Sequence, residues 1–77
     1  MTKKTVVKID SYRDYRSNAV IFGIDKNGEQ YRFLIDYDYL SIRARSERGD
    51  TLKRAAIKRM RERYTNFKFI VPTRLNK

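Results

Sequence analysis

The stretch Ala19-Val20-Ile21-Phe22-Gly23-Ile24-Asp25-Lys26-Asn27-Gly28-Glu29-Gln30-Tyr31-Arg32-Phe33-Leu34-Ile35 decides the fold. Two apolar, β-branched and aromatic runs flank an Asn-Gly pair. That pattern is a strong short-range hairpin signal, because a type I′ turn needs positive φ at both central residues. With Asn27-Gly28 as a two-residue loop, Lys26 faces Glu29, Ile24 faces Tyr31, Phe22 faces Phe33 and Val20 faces Ile35. Every pair above the Lys–Glu pair on that face is then apolar or aromatic. A three-residue loop would set Phe22 opposite Arg32 and Val20 opposite Leu34, so the two-residue register is expected. Its other face sets Ile21 opposite Leu34 and Gly23 opposite Arg32. The hairpin is thus apolar on both sides near its base. One substantial helix cannot cover two faces, so self-association through Ile21 and Leu34, as a homodimer, is expected.

Working outward, Thr5-Val6-Val7-Lys8-Ile9 reads as a preceding strand, and Ser11 to Asn18 as a polar connection. Beyond the hairpin, Asp36 to Arg45 carries both a capping signal at Asp36 or Asp38 and a strand-like alternation of Leu40, Ile42 and Ala44. A short helix is favoured there. Ser46-Glu47-Arg48-Gly49 is a break. Asp50 then serves as N-cap of a helix from Thr51 to about Tyr64, with Leu52, Ala56, Ile57, Met60 and Tyr64 in one apolar stripe. Phe67 to Val71 reads as a last strand, ended by Pro72. The expected fold is α+β: an antiparallel sheet of three to four strands, in β-β-β-α-α-β order, packed on one main amphipathic helix.

The chain has 77 residues, which suits a single small basic domain spanning 1–77. It contains neither Cys nor His. Thiol nucleophiles, zinc-thiolate sites and imidazole bases are therefore excluded. No Gly-rich phosphate loop, nucleophile elbow or metal-ligand spacing is present. Asp36 and Asp38 are the closest carboxylate pair and could support a carboxylate-based nuclease, but they read as caps. No enzyme activity, cofactor or metal is expected. No run is long and apolar enough for a membrane span, and no apolar signal core follows the basic Met1-Thr2-Lys3-Lys4-Thr5, so a cytoplasmic protein without membrane contact is expected.

The net charge is +10. Residues 1–38 hold seven basic and six acidic side chains, whereas residues 39–77 hold twelve and three. An excess confined to one half of the chain suggests a polyanionic partner. Arg54, Lys58 and Arg61 fall on one line of the helix opposite its apolar stripe, with Arg59 and Glu62 beside them. Arg43, Arg45 and Arg48 extend the line upstream. Such a row attracts phosphates without reading sequence. Tyr12 and Tyr15, in Tyr12-Arg13-Asp14-Tyr15-Arg16, are candidates for contact with bases or sugar. The function expected is non-catalytic binding of nucleic acid, DNA or RNA. The alternative is a small phage or bacterial modulator that binds a protein partner through an apolar sheet face or edge.

Tyr15-Arg16-Ser17-Asn18-Ala19-Val20-Ile21-Phe22, then Asn27-Gly28, then Ile35-Asp36-Tyr37-Asp38-Tyr39-Leu40 resembles the small bacterial DUF1488 family. That family shows an R-x-x-V-x-F strand, a turn with Gly, a second strand, an I-s-x-e-x-L segment and an Arg-rich helix. The resemblance spans about residues 10–64. The chain has Phe33-Leu34-Ile35 where the family often carries a Cys, and its last helix is more basic. The resemblance implies a small bacterial α+β domain, a helix at Tyr37–Ala44, and no established function.

Overall fold

The computed structural model describes residues 4–73. Lys3, Arg74 and Lys77, counted in the charge above, lie outside the described residues. The elements are β1 (Thr5–Tyr15), β2 (Asn18–Ile24), β3 (Gln30–Asp36), a 3-10 turn (Tyr37–Tyr39), α1 (Ile42–Glu47), α2 (Gly49–Arg63) and β4 (Phe67–Ile70). They form a four-stranded sheet ordered β3-β2-β1-β4. The β1–β2 and β2–β3 pairs are antiparallel and β4 joins β1 in parallel, so the sheet is mixed but mostly antiparallel. A parallel neighbour needs a crossover, which the helices supply.

The hairpin forms in the other register. Val20 faces Leu34, Ile21 faces Phe33, Phe22 faces Arg32 and Gly23 faces Tyr31. The loop is three residues long, with Gly28 at φ +84° and its N–H donating to the Asp25 carbonyl at 3.1 Å. A type I turn closed by a left-handed glycine is the usual three-residue hairpin loop. Asp25 builds it. Its carboxylate accepts from Asn27 N–H at 2.8 Å, from Glu29 N–H at 2.9 Å and from the Tyr31 hydroxyl at 3.0 Å. These bonds replace the expected Lys26–Glu29 pairing. A slip of one residue turns every side chain of β2 over. Ala19, Ile21 and Gly23 therefore face inward, and Val20, Phe22 and Ile24 face outward.

β1 runs six residues further than the sequence indicated, through the stretch read as a connection. A bulge at Asp10 permits this: Ile9 faces Gly23, yet Ser11 faces Phe22. Without it, the polar Ser11 would point inward. With it, Val7, Ile9 and Tyr12 share the inner face. Arg16 takes positive φ in the tight turn to β2.

Along the helical segment, Asp36 caps the 3-10 turn, accepting from Asp38 N–H at 2.9 Å, as its capping role required. Ser41 caps α1 through Ala44 N–H at 3.1 Å. The break falls at Arg48 and Gly49, both at positive φ. Consequently α2 starts before Asp50, which sits inside its first turn rather than at the cap. There the carboxylate still complements the helix dipole.

Leu52, Ala56, Ile57 and Met60 of α2 pack on Val7, Ile9, Ala19, Ile21, Phe33, Ile35 and Phe69 of the sheet. The Phe33 ring is met edge-on by Tyr64, Phe67 and Phe69 at 5.0, 5.2 and 5.0 Å between centroids. Gly23 lies under this layer. A Cβ there would overlap Val7 Cγ1 and come within 3.1 Å of the Lys8 carbonyl oxygen.

The two glycines of the hairpin should therefore fail for different reasons. Gly23→Ala overpacks the core and should cost about 1–3 kcal/mol. Gly28→Ala meets no atom but strains the backbone, and should cost about 1–2 kcal/mol. In thermal unfolding each kcal/mol lowers Tm by roughly 4–8 °C in a domain of this size. An unchanged Tm in either variant would contradict this register.

Candidate nucleic-acid interface

The helical layer is the cationic layer. Residues 42–63 hold nine Lys or Arg against three Asp or Glu. Arg54, Lys58 and Arg61 are all exposed along α2; Arg54 and Lys58 lie away from the sheet and Arg61 reaches its β4 edge. None lies within ion-pair distance of an acid among the described residues. Arg61 donates to the Phe69 carbonyl at 3.5 Å, a long bond that leaves most of its donors unused.

The other predicted arginines are engaged differently. Arg43 pairs with Glu47 at 3.5 Å and Arg45 with Asp38 at 3.8 Å. Such surface pairs contribute little to stability and are easily exchanged for a phosphate. Arg48 is tied more firmly. Its Nη2 donates to both oxygens of Asp14, at 2.9 and 2.7 Å. Asp14 also accepts from the Tyr37 hydroxyl at 2.7 Å, and the Tyr37 and Tyr12 hydroxyls are 3.0 Å apart. Tyr37 is buried at 4% exposure, with the Arg48 guanidinium 5.8 Å from its ring. This network fastens the α1–α2 junction to β1, so Arg48 and Tyr12 have structural duties.

That placement corrects the pairing of Tyr12 with Tyr15. Tyr12 lies on the inner face, half-buried, with Lys53 Nζ 5.9 Å from its ring centroid. Tyr15 is on the outer face at 49% exposure. Residues three apart on a regular strand point to opposite sides. Ile21 is likewise corrected. It is fully buried in the core, facing Phe33, and offers nothing to a second chain. Leu34 is outward and 52% exposed.

Two sets of residues escaped the sequence reading. Arg59 and Arg63, one turn apart on α2, lie over Tyr39 and Tyr64 at 4.9 and 5.6 Å. Arg59 Nε is buried without a hydrogen-bond partner among the described residues. Their i, i+4 spacing is visible in the sequence, but Tyr39 comes to Arg59 from the 3-10 turn, whereas Tyr64 is Arg63's own neighbour at the end of α2. The second set is the outer face of the sheet, which depends on the register. Lys8, Arg13, Arg32 and Lys68 are exposed there, alongside Val6, Ile24, Leu34 and Ile70.

No family model, curated protein or solved structure matches the chain. No helix among the described residues is long and apolar enough to cross a membrane.

Burial, and then the bonds to Tyr12 and Asp14, push the Tyr37 hydroxyl far above the usual tyrosine range; burial also raises Tyr12. A raised folded pKa stabilises the fold fully below the unfolded value, and that contribution is lost as pH rises above it. Stability should therefore hold up to about pH 10 and decline beyond it, with Tyr37 ionising only as the chain unfolds. Absorbance titration of the phenolates alongside circular dichroism checks this. Asp14→Ala should cost about 1–3 kcal/mol by leaving the Tyr37 hydroxyl without its acceptor. Arg54→Gln should stay within about 0.5 kcal/mol of the parent.

Proposed function

We propose that the protein is a non-catalytic nucleic-acid-binding domain whose helical layer holds phosphates. One observation carries this reading: Arg54, Lys58 and Arg61 form an exposed line on α2 with no acid within ion-pair distance among the described residues. Three unneutralised cations in a row raise the local potential, and a polyanion lowers it while releasing its own counterions. Arg43 and Arg45 join the line by exchanging their surface pairs for phosphate. Arg48 stays with Asp14. The contacts are to backbone phosphates, so they position the ligand without reading its sequence. In this reading the DUF1488-like motifs supply the scaffold, and the added positive charge of α2 supplies the function.

Fluorescence anisotropy across a salt series of about 50–300 mM tests the reading. The parent should bind with log K falling steeply against log salt. The triple variant Arg54→Gln, Lys58→Gln, Arg61→Gln should bind more weakly and flatten the slope by about 2–3. A parent that binds no nucleic acid at low salt removes the proposal. A triple variant with the parent's slope removes the helix from it.

A further inference from the structure

The outer face of the sheet has no element over it among the described residues, and its side chains form an ordered grid. One cross-strand row reads Ser11, Phe22, Arg32 across β1, β2 and β3. The next row reads Arg13, Val20, Leu34, and the row on the other side reads Lys8, Ile24, Gln30. Directly paired side chains are about 5 Å apart and diagonal ones about 7–8 Å. Phe22 thus has Arg32 beside it and Arg13 and Lys8 on its two β1 diagonals. Its direct β1 neighbour is the small Ser11, and the ring is half-buried. The bulge at Asp10 opens a shallow hollow of about 540 Å³ here, lined by Phe22, Arg13, Tyr15, Gln30 and Asp10 among others. Tyr15 stands two rows away, about 14 Å along the strand.

We infer that this face holds an unpaired stretch of nucleic acid, with a base stacked on Phe22 and phosphates on Arg32, Arg13 and Lys8. The inference rests on the nucleic-acid reading above and adds a ligand class to it: single-stranded rather than duplex. Charge complementarity selects the occupant. Asp10 and Asp36 are the acids of this face among the described residues, against Lys8, Arg13, Arg32 and Lys68. A second copy docked face to face by a two-fold axis running across the strands through Phe22 would set Arg32 against the partner's Arg32 and Arg13 against the partner's Lys8, and like charges so placed oppose that docking. A single strand meets both needs of the face. Its bases cover apolar and aromatic surface, and its phosphates neutralise the cations. A duplex presents no unstacked base to Phe22. Arg54 and Lys58 lie on the opposite side of the sheet and Arg61 at its β4 edge near Lys68, so Phe22, Arg13 and Arg32 can be altered separately from the helix.

The test uses the full chain with labelled oligothymidylate and oligouridylate of about 12 nucleotides and a duplex of the same length. Phe22→Leu keeps an apolar side chain and removes the π face. It should weaken single-strand binding roughly tenfold and leave duplex binding unchanged. The chain has no Trp. Phe22→Trp should therefore retain single-strand affinity and report stacking by quenching of its sole indole. Arg13→Gln with Arg32→Gln, both exposed, should weaken the same binding without affecting the fold. Single-strand affinity unchanged in Phe22→Leu, or indole emission unchanged at saturation, overturns the inference while the helix triple variant still reports on the wider reading. A parent that binds no oligonucleotide ends both. A dimer in light scattering that Leu34→Asp converts to a monomer, with single-strand affinity intact, assigns the face to a second copy and also overturns it.

Discussion

The Asp25 carboxylate is the constraint on which the rest of the structure depends. By gathering Asn27 N–H, Glu29 N–H and the Tyr31 hydroxyl, it closes a three-residue loop and sets the pairing of β2 with β3. Desolvation works against its charge, yet the bonds from Glu29, Tyr31, Asn27 and Gly28 prevail and hold its pKa below the usual value. The parity of β2 follows. Ala19 and Gly23 turn inward, where their small size admits Val7, Ile9 and the helix, and Phe22 turns outward into a ring of cations. A two-residue loop would have placed Phe22 in the core and Gly23 on the surface. The chemistry of both faces is thus settled several residues away from either, by a loop.

The bulge at Asp10 is the matching device on the other side of β2. Val7 and Ile9 alternate inward, but Tyr12 must also reach inward to meet Tyr37. An extra residue corrects the phase and bends the strand. The long β1 can then serve two ends of the molecule. Its first half pairs with β4 beneath α2, and its second half carries Asp14 to the α1–α2 junction. One strand therefore couples the core to the network that orients the helices.

Much of this was legible in the residues. The order of elements, the amphipathic α2 and the capping role of Asp36 follow from local rules about periodicity and hydrogen bonding. The hairpin was legible, but its register was not. Asn-Gly suits both loop lengths, and apolar cross-strand pairs are more numerous in the two-residue register. An Asp that caps its own loop and a glycine that fits under a packed core outweigh them. Tyr12 and Tyr15 are neighbours in a polar stretch, yet both lie on β1, whose alternation sends them to opposite faces of the sheet. The alignment of Arg54, Lys58 and Arg61 was legible because i, i+4, i+7 spacing is a property of the helix itself. The tie of Arg48 was not, because its partner Asp14 is 34 residues away.

The positive surplus is also sorted in space, and the sorting has a physical logic. Acids that reach the helical layer meet it at the α1 end: Glu47 takes Arg43, Asp38 takes Arg45 and Asp14 takes Arg48. Further along α2, Glu62 stands one turn beyond Lys58 without pairing to it among the described residues. Like charges on a helix repel, and an ordinary surface helix relieves this by alternating sign at i, i+4. Here neutralisation falls where the chain must turn sharply, at Arg48 and Gly49, and Coulomb attraction holds the turn. It is absent along the straight, well-packed length of α2, whose burial of Leu52, Ala56, Ile57 and Met60 can offset the repulsion. The packed face thus sustains the unneutralised one, and the charge stays exposed to whatever polyanion approaches.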